Sequence, residues 1–139
     1  MPEQDATTQP PATTPTGWGW LRATLILLLI EKVTQHVVVT AAFAANWEGI
    51  RATVAIPYQL FMVVGAVLVV LFALAAWGLV QRSAWARTLV IALALTDIVG
   101  EIVAQLNRTF TINVSLVVAI ALLALALIYR RTRPRSAGD

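Results

Sequence analysis

An all-α fold of four membrane-spanning helices is what this sequence predicts, and three observations carry that reading. The 139 residues are 59% hydrophobic and only 12% charged, whereas soluble domains run near ~45–50% apolar and ~25% charged. The apolar residues fall into four long stretches, each close to the ~20 residues a spanning helix needs. Short links join them, and aromatic residues cluster at their ends, where rings favour the membrane–water interface. A chain of this length is expected to form one domain.

The first sixteen residues, MPEQDATTQPPATTPT, are rich in Pro and Thr and contain no Lys or Arg. They lack the basic leader of a signal peptide. With so few apolar residues to offset the entropy of ordering, residues 1–17 read as a disordered tail. The transmembrane domain covers 18–130. Its spans are expected over about Trp20–Asn46, Pro57–Val80, Trp85–Asn107 and Ile112–Tyr129, and the second and fourth carry no charge. Trp18, Trp20, Trp47, Tyr58, Trp77, Trp85 and Tyr129 lie near the ends. Pro57 suits the first turn of the second helix, where a missing N–H costs nothing. A β-barrel would show segments of about 10 residues with alternating polarity, and runs such as VVGAVLVVLFALAAWGLV do not alternate.

Orientation follows from the Lys/Arg bias of short loops. Arg22, Arg82, Arg87, Arg130, Arg131, Arg133 and Arg135 fall on one side, with only Arg51 and Arg108 on the other. That split places both termini in the cytoplasm of a multi-pass cell-membrane protein. The basic tail over 131–139 completes a RRTRPR run that serves as a stop-transfer anchor or attracts anionic lipid.

The two halves align at an offset of 65: LRATLILLLIEKVTQHVV lies over ARTLVIALALTDIVGEIV, with Arg22 on Arg87, Lys32 on Asp97 and His36 on Glu101. Val54-Ala55-Ile56 nearly matches Val118-Ala119-Ile120 one residue out of that register. A tandem duplication of helix pairs would be parallel, whereas inverted repeats need an odd number of helices per half.

The chemistry-bearing residues concentrate on two helices. The first holds Glu31, Lys32, Gln35, His36 and Thr40, and the third holds Asp97, Glu101 and Gln105. Ionisable groups in a span are costly and normally face the bundle interior in pairs. Lys32, His36 and Thr40 are four apart on one helical face, as are Asp97, Glu101 and Gln105. At about 1.5 Å per residue, Lys32 and Asp97 both fall ~18 Å from Trp20 and Trp85, and His36 and Glu101 both fall ~24 Å. Two cation–anion levels are therefore expected, Lys32–Asp97 and His36–Glu101. Glu31 joins from the side, reaches a second subunit or is held protonated by desolvation. Gln35, Thr40, Tyr58, Gln59 and Gln105 are expected to line an outward-facing polar pocket. Thr96, Gly100 and Ala104 form a small-residue row that lets helix backbones approach closely in lipid.

The same residues exclude several classes. No cysteine is present, so disulfides and thiolate chemistry are out. The net charge of +3 is modest and the arginines sit at helix ends, which argues against a nucleic-acid surface. No nucleophile–base pair, phosphate loop or zinc-protease motif marks an enzyme, and Ser83, Ser115 and Ser136 lie near helix ends away from His36. Cofactor ligation has one minor candidate, His36 as axial ligand to haem or chlorophyll, with Met62 or a second subunit completing the set. A metal on His36, Glu101 and Asp97 would have a thin ligand set. Asn107-Arg108-Thr109 and Asn113-Val114-Ser115 match the glycosylation pattern but lie close to the membrane.

Four helices in a short chain, with Glu31 in the first, resemble the small multidrug resistance transporters in outline. Lys32 and His36 beside Glu31, a charged third helix and the Pro/Thr-rich tail depart from that pattern. The function expected is that of an accessory or structural subunit of a membrane assembly, or of a homo-oligomer, held by a buried ionic cluster. The alternative is a small proton- or ion-coupled transporter that uses the same cluster.

Overall fold

The computed structural model describes residues 18–54, 57–105 and 112–129, the side chains of Trp18 and Thr53 apart. The two expected tails, and Asn107 and Arg108, lie outside the described residues. Among those described, all regular structure is helical: α1 (Trp18–Ala45), a 3₁₀ helix (Trp47–Thr53), α2 (Tyr58–Val80), α3 (Ala86–Gln105) and α4 (Val114–Ile128). Helices α1, α2 and α3 are long and apolar enough to cross a membrane, while α4 is apolar but shorter.

Local chemistry sets each boundary. Helix α1 stops where Asn46 enters the left-handed region at φ 53°, a conformation Asn tolerates better than most residues. The carbonyls left unpaired at that end are taken by Arg51. Its Nε donates to Phe43 O at 2.7 Å and its Nη2 to Ala44 O at 2.6 Å. The short link expected here is a 3₁₀ turn, kinked where Glu48 and Gly49 also take positive φ. Pro57 sits just ahead of α2 rather than inside it, with φ −51°, and its carbonyl accepts from Leu60 N at 2.9 Å.

The α2 C-terminus closes with a Schellman motif: Ser83 N donates to Gly78 O at 2.8 Å and Arg82 N to Leu79 O at 3.2 Å. Arg82 holds the left-handed position at φ 55°. Gly78 is required by the tight turn into α3, because a Cβ there would lie 2.6 Å from the Trp85 ring and 2.9 Å from Ala86 Cβ. Helix α4 begins at Asn113, whose Oδ1 accepts from Leu116 N at 2.8 Å, the side-chain bond of an N-cap. Arg87 holds its far end, donating from Nε to Ala126 O at 2.8 Å and from Nη2 to Leu127 O at 3.1 Å.

Helix α1 packs along α2 and α3 along α4, and α2–α3 and α1–α4 contacts join the two pairs. The core is built from Leu25 and Leu29 of α1, Phe72, Ala75 and Leu79 of α2, Val90, Leu93 and Ala94 of α3, and Leu122 and Ala126 of α4. Around it the outer faces stay apolar: Leu27, Val63, Val67, Val70, Val99 and Ile120 are all exposed. Soluble monomers rarely present contiguous apolar surface on this scale.

Two sequence expectations change here. The row Thr96–Gly100–Ala104 faces outward and is exposed, and a Cβ on Gly100 would meet nothing within 4 Å. Close approach inside the molecule is made instead at Gly65, which is buried against Thr40 of α1. The Val54–Val118 correspondence also has no structural counterpart. Val54 is extended at φ −107°, ψ 137°, whereas Val118 lies inside α4.

Candidate functional site

The site grows out of the α1 core seam. Leu21, Leu25, Leu29 and Lys32 recur at helical spacing and are all buried, so the lysine occupies the next core position after three leucines. Its side chain is 0% exposed. An ammonium so enclosed must be paired and hydrogen-bonded. Lys32 Nζ lies 2.6 Å from Asp97 Oδ2, and it donates to Ser115 O and to Ser115 Oγ, each at 2.8 Å, and to Gln35 Oε1 at 3.0 Å. Three helices thus converge on one nitrogen, α1 with the cation, α3 with the anion and α4 with a hydroxyl and a carbonyl.

Asp97 is shared. Its second oxygen, Oδ1, lies 3.3 Å from His36 Nε2. The imidazole stacks on Phe72, with ring centroids 5.4 Å apart and an interplanar angle of 18°. Phe72, 0% exposed, is the contribution of the uncharged helix α2 to the cluster. His36 keeps 16% of its side-chain surface open, more than Lys32 does.

The expected second level, His36–Glu101, is not formed. Lys32 and His36 stand one turn apart and straddle Asp97, whose two oxygens serve both. Glu101, half-buried, instead accepts from Asn113 Nδ2 at 2.9 Å through Oε2. Asp97 lies within reach of both Lys32 and His36, so one carboxylate takes the place of the two expected levels. Ser115, expected to be remote from the cluster, is one of its members. Asn113 serves as the N-cap of α4 and the partner of Glu101, a use of its side chain different from the glycosylation pattern it matches. Glu31 is half-buried, and its Oε2 is enclosed without a hydrogen bond.

The expected polar pocket is dispersed. Gln35 turns to Lys32. Thr40 meets Gly65 and borders a shallow apolar groove with Val37, Ala41, Ala44, Ala66 and Val69. Tyr58 lies beneath Arg51, whose Cζ is 4.3 Å from the ring centroid. Gln59 is exposed, and Gln105 is half-buried at the end of α3. Among the described residues, no group of three or more His, Asp or Glu gathers into a metal site.

Ser115→Ala isolates the hydroxyl's share of the cluster. It removes one acceptor while the Ser115 carbonyl, Gln35 and Asp97 remain, so a loss of about 1–2 kcal/mol is expected. Denaturation in detergent, wild type against Ser115→Ala, checks it. A loss equal to that of removing the lysine would mean that the hydroxyl, not Asp97, holds the ammonium.

No family model matches the chain, and no curated protein or solved structure matches it.

Proposed function

We propose that this is a four-span protein of the cell membrane, with both termini in the cytoplasm, and that it serves as an accessory or structural subunit of a larger membrane assembly. The cluster on α1, α3 and α4 is the internal lock that fixes its shape. The enclosure of Lys32 carries this reading. The ammonium is wholly buried and surrounded by four acceptor atoms from three residues, Asp97, Gln35 and Ser115. A site built to bind and release a solute keeps a charge waiting for its ligand, and here the central charge is satisfied within the chain. The small outward row of α3 and the exposed apolar faces leave room for neighbouring subunits or lipid.

His36 supports a second reading, a small proton-coupled carrier, because it is the one ring of the cluster that reaches the surface. Reconstituted vesicles separate the two. The subunit reading expects proton flux under an imposed gradient to match protein-free vesicles, and expects the protein extracted in mild detergent to run in a complex larger than its own 15.0 kDa. A 15.0 kDa monomer that conducts protons, and stops when Glu101→Gln or His36→Gln is introduced, would overturn it in favour of the carrier.

A further inference from the structure

One charge stands outside the lock. Glu31 lies at the midpoint of the 28-residue helix α1, with about 20 Å of helix on either side of it. It is turned about 100° round the helix from Lys32 and does not enter the cluster. Its face of α1 is apolar and outward: Leu27, one turn before it, and Val38, two turns after it, are both exposed. Glu31 itself is half-buried. Its Oε2 is enclosed and makes no hydrogen bond, and among the described residues no cation pairs with it.

The chain has no cation to spare at that depth. Lys32 is held by Asp97, Ser115 and Gln35. His36 lies against Asp97 and is stacked on Phe72 of α2. Arg22 stands earlier on the same helix, about 13 Å away along the axis. Arg51 and Arg87 are spent on the ends of α1 and α4. A second copy carries the same residues in the same places, so its helices offer no free mid-span cation either.

Ionisable groups inside a span are costly and are kept in pairs. Lipid headgroups and bulk water lie at the two ends of α1, far from its midpoint. The counter-charge for Glu31 therefore has to arrive within the membrane, on another spanning helix. We propose that the Glu31 face of α1 is the docking site for a different chain, and that this partner is a membrane-spanning helix with a lysine or arginine at mid-depth. It rests on the subunit reading above and gives that assembly a specific contact, one acidic position set between exposed leucine and valine. The lock closes without Glu31, so its carboxyl is left for the interface.

The probe is a synthetic leucine helix of about 22 residues with one lysine at its centre. Two control helices carry leucine there, or the lysine moved to one end. The full chain has no cysteine, so Ala84→Cys takes a single donor dye at an exposed position. Protein and acceptor-labelled helix are reconstituted in phosphatidylcholine vesicles, and energy transfer reads association. The central-lysine helix is expected to bind about tenfold tighter than either control. Glu31→Asp is expected to keep most of that preference and Glu31→Gln to abolish it. Equal binding of the three helices would overturn the docking site and leave the subunit reading as it was. That comparison needs no substitution at Glu31, so it decides the matter even where Glu31→Gln fails to fold. A lysine preference that survives Glu31→Gln would also overturn the site, by placing the anion elsewhere. Energy transfer between copies of the chain alone, lost in Glu31→Gln, would overturn the different chain in favour of a second copy. A chain extracted from its own membranes as a 15.0 kDa monomer overturns the subunit reading, and the docking site that rests on it.

Discussion

Lys32→Ala is expected to destabilise the folded protein by about 3–5 kcal/mol, and adding Asp97→Ala to it is expected to recover part of that loss. The asymmetry comes from burial. Lys32 is 0% and Asp97 5% exposed, so removing the lysine strands a carboxylate whose remaining ion-pair neighbour is the His36 ring at 3.3 Å. Removing both leaves a cavity and an unused Ser115 hydroxyl, but no stranded charge. The measurement is reversible unfolding in detergent of the two single variants and the double. Losses that simply add would show that the two side chains share no energy, and the lock would have to be sought elsewhere.

Phe72→Ala is expected to cost a similar amount, about 3–5 kcal/mol, for a different reason. The ring is fully buried at the centre of the core and supports His36 by stacking. Its loss opens a cavity that neighbours on α1 and α3 fill only by moving, and it frees the imidazole from its fixed approach to Asp97. Phe72→Leu, which keeps most of the volume, is expected to lose about 1 kcal/mol. Phe72→Ala as mild as Phe72→Leu would mean that the site collapses freely and that the stacking contributes nothing measurable. The same denaturation experiment reads both.

The long apolar runs made α1, α2 and α3 legible, because helical length and hydropathy are local properties. Lys32 and Asp97 were legible as partners because isolated buried charges are costly enough to force a pairing. What could not be read was side-chain reach: equal depths bring Lys32 and Asp97 level, but they do not show that the two oxygens of one carboxylate approach both Lys32 and His36. The same blindness hid Ser115. An Asn ahead of an apolar run is a recognised N-cap signal, and taken seriously, Asn113 would have started α4 there and placed Ser115 in its first turn. The direction faced by Thr96, Gly100 and Ala104 was beyond sequence reasoning, since spacing defines a stripe without saying what it faces. The kinked 3₁₀ turn was missed because Asn46 and Glu48 at positive φ follow from Arg51 reaching back to α1, a contact with no sequence signature.

The lock also sets an order of events during synthesis. Lys32 emerges early, in the first helix, and sits where a leucine would continue the seam. Its counter-charge on Asp97 and its acceptors on Ser115 are made much later in the chain. Until α3 and α4 have emerged, the acceptors given for the Lys32 ammonium reduce to Gln35 on its own helix, and α2 brings no charge to it. The α1–α2 hairpin is thus not a self-sufficient folding unit, however extensive its packing. The native arrangement is committed only when the second hairpin arrives and three separate helix segments close on one nitrogen.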